Sequence, residues 1–149
     1  MKKTILIVDD EKDIRDVLTI TLADIGYQVL AAENGQAALS LFKREHPSIV
    51  MTDIKMPVMD GIELLRRIKQ ENRDTEVIMV TGHGDMDLAI KSLKNDAVDF
   101  ITKPINVDIM EIALKKVEEK ILSREKLLAY TEKLETLVRE KMELRDHLS

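Results

Sequence analysis

Residues 49–57, Ile49-Val50-Met51-Thr52-Asp53-Ile54-Lys55-Met56-Pro57, are a short apolar run that delivers a single carboxylate, Asp53, and then stops at a proline. From Ser48 to Thr52 the run reads as a strand buried on both faces, the kind found in parallel sheets. A carboxylate ending such a strand is either a costly passenger or the reason the strand exists. What else ends at the same place decides between the two.

Working outward, the same pattern recurs. Ile5-Leu6-Ile7-Val8 is a continuous β-branched run ended by Asp9-Asp10-Glu11. From Asp13 to Ile25, the residues Ile14, Val17, Leu18, Ile20, Thr21 and Leu22 fall at helical spacing, and Gly26 stops the helix. Tyr27 to Ala32 is a weaker strand. Asn34-Gly35 makes a turn and cap for a helix that ends before Pro47. Beyond the opening stretch, Asp60-Gly61-Ile62-Glu63 has capping-box spacing, with Asp60 accepting amide protons and Glu63 reaching back. Leu64, Leu65 and Ile68 give that helix its inner face. Val77-Ile78-Met79-Val80 is a strand ended by Thr81-Gly82-His83-Gly84-Asp85, and a helix follows from Met86 to about Lys94. Val98 to Ile101 is the last strand, ended by Thr102-Lys103-Pro104, and Asn106 caps the last helix.

Strand and helix alternate throughout. The fold class is therefore α/β, a doubly wound five-stranded parallel sheet with helices on both faces and right-handed crossovers. Composition narrows the function. The chain has 149 residues, 44% hydrophobic but only 3% aromatic, with no Trp and no Cys. That argues against base or sugar stacking and excludes disulfides, thiolate metal sites and cysteine nucleophiles. The apolar segment before Asp9 is too short for a signal peptide or membrane span, so a cytoplasmic location and no membrane partner are expected. A net charge of −5 speaks against direct nucleic-acid binding.

The final helix differs from the others. Nothing breaks it from Val107 to the chain end, a length of roughly 60 Å at about 1.5 Å per residue. A domain of roughly 120 residues is only about 35 Å across, so the outer half cannot pack on its own domain. Met110, Leu114, Val117 and Ile121 share one apolar register. Leu127, Tyr130, Leu134, Leu137, Leu144 and Leu148 follow alternating steps of three and four in another, with Lys141 as the polar seam position. The register shifts near Ser123-Arg124. From Ser123 onward six acidic and six basic residues balance, with Glu140 at g and Arg145 at e, which suits a parallel pair. The division expected is a globular domain over 1–121 and a coiled-coil linker helix over 122–149 that forms a homodimer and leads toward an output domain.

In a parallel α/β sheet, ligands bind outside the carboxyl ends of the strands. Asp9, Asp10, Asp53, Thr81 and Lys103 all fall there. Alone, either Asp9 or Asp10 could merely cap a helix, Thr81 could be a strand-end hydroxyl, and Lys103 before Pro104 would signify nothing. Together they constrain the chemistry. Three crowded carboxylates either protonate in part or recruit a cation. An oxygen-only set at an open edge suits Mg2+, which keeps waters and leaves room for phosphate oxygens. A lysine, a hydroxyl donor and one exposed carboxylate beside such a cation make a phosphoryl-transfer site, with the carboxylate as nucleophile. Gly82-His83-Gly84 lacks the spacing of a phosphate loop, so the phosphate arrives on something else.

These residues resemble the receiver domain of bacterial two-component response regulators over about Lys2 to Ile121. The likeness lies in Asp9-Asp10, Asp53 with Met56-Pro57 and Met59-Asp60-Gly61, Thr81-Gly82, and Phe100 with Lys103-Pro104. It implies a flavodoxin-like (βα)5 fold in which Asp53 accepts a phosphoryl group from a sensor histidine kinase or a histidine phosphotransfer protein. It further implies that Asp10, Asp53 and the backbone carbonyl of Lys55 hold Mg2+, with Asp9 assisting through water, and that Lys103 and Thr81 bind the phosphoryl oxygens. Thr81 and Phe100 would form the switch, Lys55 and His83 would tune the dephosphorylation rate, and the Lys103–Pro104 peptide would be cis. Such a protein is not an enzyme with a separate substrate; it assists its own phosphorylation and dephosphorylation. Two rivals are weaker. A haloacid-dehalogenase-type phosphatase would carry a second Asp two positions after the nucleophile, where this chain has Lys55. A phosphorylation-independent dimerisation module would lack part of the acidic set, which here is complete.

Overall fold

The structure, a computed structural model, describes residues 3–148. Met1, Lys2 (where the expected match begins) and Ser149 lie outside the described residues, as does the side chain of Leu148. In chain order the elements are β1 (Thr4–Val8), α1 (Lys12–Ile25), β2 (Gln28–Ala32), α2 (Gly35–Glu45), β3 (Ile49–Asp53), α3 (Gly61–Glu71), β4 (Glu76–Thr81), α4 (Met86–Lys94), β5 (Asp99–Thr102) and α5 (Val107–Leu148). The strands form one parallel sheet in the order β2-β1-β3-β4-β5. The sheet is the doubly wound one expected.

The order explains the composition of each strand. Central β1, β3 and β4 are buried almost throughout and read as unbroken apolar runs. Edge strand β2 is exposed at Gln28 and Ala31, which is why it looked weak. Leu6, Val8, Val50, Val77 and Met79 point to one face, against Phe42 of α2 and Ile62, Leu65 and Ile68 of α3. Ile5, Ile7, Ile49, Met51 and Ile78 alternate with them onto the other face, and Leu18 and Leu22 of α1 are also buried.

Helix ends follow from local chemistry. The Asn34 side chain accepts the Ala37 amide at 2.8 Å, and that of Asp60 accepts the Glu63 amide at 2.8 Å. Gly26 closes α1 at φ 118°, a left-handed conformation with open space around it, and its N–H reaches the carbonyls of Leu22 and Ala23.

Some expectations need correction. Glu63 does not reach back to complete a capping box: its carboxylate pairs with Arg67 at 3.0 Å, one turn along the same exposed face. The buried stripe of α1 is narrower than its apolar residues, because Val17 and Ile20 remain 63% and 64% exposed. Strand β3 runs one residue further than expected and includes Asp53, while β5 starts and ends one residue later.

The chain divides into two compact units between Ala113 and Leu114. The second unit is a continuous helix, part of the 42-residue α5. Within it Leu114, Val117 and Ile121 are buried, whereas Leu127, Tyr130, Leu134, Leu137 and Leu144 are all exposed. Among the described residues, no helix is long and apolar enough to cross a membrane.

Candidate functional site

Strand order reverses direction between β1 and β3, since β1 is followed on one side by β2 and on the other by β3. The crevice outside their carboxyl ends is the place such a sheet offers for binding. Register puts two carboxylates there. Val8 pairs with Thr52, so Asp9 and Asp53 leave the sheet side by side. Asp53 also pairs with Val80 and Thr81 with Thr102, which brings the end of β4 and Lys103 to the same edge. The Lys103 amide donates to the Thr81 carbonyl at 2.8 Å and the Ile54 amide to Val80 at 3.0 Å, extending the ladder into the loops.

Lys103 Nζ lies 3.0 Å from Asp9 Oδ2 and 3.0 Å from Asp53 Oδ2. Asp9, Asp10 and Asp53 each offer a carboxylate oxygen within 4.8 Å of the other two. Asp9 and Asp53 are buried, while Asp10 is exposed. Burial pushes the Asp53 carboxyl above the usual aspartate range, and the charges of Asp9 and Asp10 push the same way. The hydrogen bond and charge of Lys103 oppose this without cancelling it. For Lys103 itself, burial works against the ammonium, yet its hydrogen bonds to Asp9 and Asp53 and their charges outweigh it. Its pKa stands above the ordinary lysine value. One ammonium shared by two buried carboxylates is thus fully held, but it leaves the cluster short of positive charge. The donor set contains only oxygens, with no His or Cys among it, and fits a small hard divalent cation.

The structure brings Asp9, Asp10, Asp53 and Lys103 into one cluster. Thr81 is buried on the same edge, with its hydroxyl donating to the Gly82 carbonyl at 3.0 Å. Phe100 in β5 is half-buried against the apolar core. His83 is exposed. The Lys55 side chain points to Asp85, at 3.0 Å. The Lys103–Pro104 peptide is cis.

Three residues support the turns around Asp9 and Asp53 through contacts that the sequence did not reveal, although Gly61 itself belongs to the Met59-Asp60-Gly61 stretch. Arg15, from the first turns of α1, donates to the Asp9 carbonyl at 2.8 Å and steadies the turn that carries Asp9. The Thr52 hydroxyl donates to the Asp53 carbonyl at 3.0 Å. Gly61 packs its α-carbon against the Asp53 carbonyl, and its amide donates to Ile54 at 2.7 Å. Only Gly61 left a trace, as a glycine placed directly after a helix cap.

Residues 5–115 match the family described as the response regulator receiver domain. Sporulation initiation phosphotransferase F of Bacillus subtilis is 39% identical over 116 residues, which are 78% of this chain and 94% of that protein. A probable transcriptional regulator, ycf27, of Porphyridium aerugineum is 38% identical over 120 residues, 80% of this chain; the chain spans only about half (50%) of that relative's length. Among solved structures, a response regulator receiver domain protein from Clostridium thermocellum superposes with a TM-score of 0.76 at 35% identity. That match covers 85% of this chain and 98% of the other.

Proposed function

The chain belongs to the response regulator receiver domain family, whose members act in phosphorylation-based two-component signalling, and from that premise we propose that Asp53 is its phosphoacceptor. The observation that carries the reading is the shared ion pairing of Lys103 with Asp9 and Asp53 at the strand-order reversal. The donor is a phosphohistidine on a sensor histidine kinase or on a histidine phosphotransfer protein.

In the reaction an Asp53 carboxylate oxygen attacks phosphorus, the P–N bond to the donor imidazole breaks with its electron pair, and an acyl phosphate forms. Lys103, already within hydrogen-bond reach of Asp53, takes a phosphoryl oxygen. The Thr81 hydroxyl exchanges the Gly82 carbonyl for another phosphoryl oxygen, and Phe100 changes rotamer with it. Asp10, Asp53 and the Lys55 carbonyl would hold Mg2+, with Asp9 acting through water, and the ion would neutralise charge on the transferring group. Lys55 and His83 tune how long the phosphoryl group lasts.

The test is incubation with Mg2+ and acetyl phosphate, read by intact mass. The wild-type chain should gain one phosphoryl group and Asp53→Ala none. An unmodified wild type would sink the proposal, and sustained release of phosphate from unrelated phosphate esters would favour a hydrolase.

We further read residues 1–121 as the receiver and 122–149 as a parallel coiled-coil linker joining two copies of a cytoplasmic protein. Its support is the exposed seam of Leu127, Tyr130, Leu134, Leu137 and Leu144. Sedimentation of the full chain against a truncation after Ile121 should give a dimer and a monomer respectively. A monomer in both refutes the linker assignment.

A further inference from the structure

Asp85 occupies the N-cap position of α4, and aspartate is among the best capping residues. Its side chain nevertheless caps nothing. In α2, α3 and α5 the corresponding side chains of Asn34, Asp60 and Asn106 all accept amide protons of the first turn, at 2.8 to 2.9 Å. In α1 the position holds Glu11, a poor capper. Only α4 has a good capping residue turned to another use. That use is Lys55, whose Nζ lies 3.0 Å from Asp85 Oδ1. The bridge joins the loop after Asp53 to the loop after Thr81. Gly82 makes room for it: a Cβ there would meet Asp85 Oδ2 at 3.0 Å. The Lys55 side chain is 68% exposed and that of Asp85 22%, so the pair is weak enough to exchange.

We propose that the Lys55–Asp85 bridge is a charge-operated latch, holding Asp85 off the start of α4 until a phosphoryl group on Asp53 draws Lys55 away. The released carboxylate then caps α4. The inference rests on Asp53 being the phosphoacceptor. A phosphoryl group brings about −1.5 to −2 charge two residues from Lys55, against the single charge of Asp85. The freed carboxylate has a partner in the Asp87 amide, at the positive end of the helix dipole, while the Leu88 amide already donates to the Asp85 carbonyl at 3.1 Å.

The experiment follows the first-turn amides of α4, Asp87 and Leu88, by NMR and hydrogen exchange on the full chain. With Mg2+ alone, the wild type should show the latched pattern. Adding beryllofluoride, a stable stand-in for the phosphoryl group, should shift these amides and slow their exchange about fivefold, the effect of one N-cap. Lys55→Met should show the same shift in Mg2+ alone, Lys55→Arg should behave as wild type, and Asp85→Ala should show no slowing in any condition. If the α4 amides of Lys55→Met in Mg2+ alone match those of wild type, the latch is overturned. If beryllofluoride leaves the surroundings of Asp53 unperturbed, the phosphoacceptor reading fails and the latch falls with it; if it perturbs Asp53 and leaves the α4 amides of wild type unmoved, the latch alone is overturned.

Discussion

Lys103→Met is expected to destabilise the unphosphorylated domain by about 2 kcal/mol at neutral pH, less than the loss of one partner from a fully buried ion pair because the lysine is partly exposed. Its ammonium is the group bonded to both Asp9 and Asp53, which are 2% and 7% exposed. Without it, two buried carboxylates face each other with no cation between them. Asp53→Asn should act in the opposite direction. The Asp53 carboxyl is raised chiefly by burial, so it holds its proton more tightly folded than unfolded. Its charge therefore subtracts stability, and that loss develops as pH rises through and above the ordinary aspartate range. Asparagine removes the loss and leaves Lys103 paired with Asp9. The folded pKa of Lys103 is raised, so the stability its charge contributes is full below the ordinary lysine value and disappears as pH passes the raised one. The penalty of Lys103→Met should thus be widest between the aspartate and lysine ranges and shrink toward both extremes. Urea unfolding midpoints across pH measure all of this. Mg2+ should partly restore Lys103→Met, since a divalent ion among three carboxylates replaces the missing charge. A Lys103→Met protein as stable as wild type at neutral pH would contradict the account.

Gly61→Ala is expected to cost about 3 kcal/mol, at the upper end of what overpacking causes. A Cβ at this position would collide with the Asp53 carbonyl oxygen and lie 2.8 Å from the Ile54 α-carbon. Both are backbone atoms, so no rotamer change relieves the contact. The start of α3 must back away, breaking the 2.7 Å bond from the Gly61 amide to the Ile54 carbonyl. Because the backbone that the new Cβ strikes is that of Asp53 itself, phosphoryl acceptance from acetyl phosphate should fall along with the unfolding midpoint. Gly35→Ala offers a milder comparison: the atoms nearest a Cβ there are Cβ, Cγ and Sδ of the Met59 side chain, at 2.9 Å, rather than backbone. Equal losses in the two variants would refute the backbone argument.

The sheet was legible in the sequence because its buried central strands are unbroken apolar runs, each ended by a polar residue. Ile5–Val8 and Val77–Val80 could be read as little else. The acidic cluster and Lys103 were legible for a related reason: parallel strands bring all their carboxyl ends to one edge, whatever their separation along the chain. Strand order was not, because pairing of β1 with β3 rather than with β2 alone leaves no local mark. The contacts of Arg15, Thr52 and Gly61 on the turns around Asp9 and Asp53 stayed hidden for the same reason, since they depend on which loops meet. Glu63 shows the opposite failure. Its spacing was right for a capping box, but Arg67 one turn away offered a charged partner on an exposed face.

Continuity of the 42-residue α5 fixes the phase between its buried and its exposed apolar stripes. The buried stripe of Leu114, Val117 and Ile121 and the exposed seam beginning at Leu127 lie on one rigid screw. Each residue added or removed between Leu122 and Lys126 turns the seam by about 100° about the helix axis. Seven residues return it to within about 20°. Surface substitutions in that interval leave the angle untouched, so a length change of one residue perturbs the helix more than several replacements together.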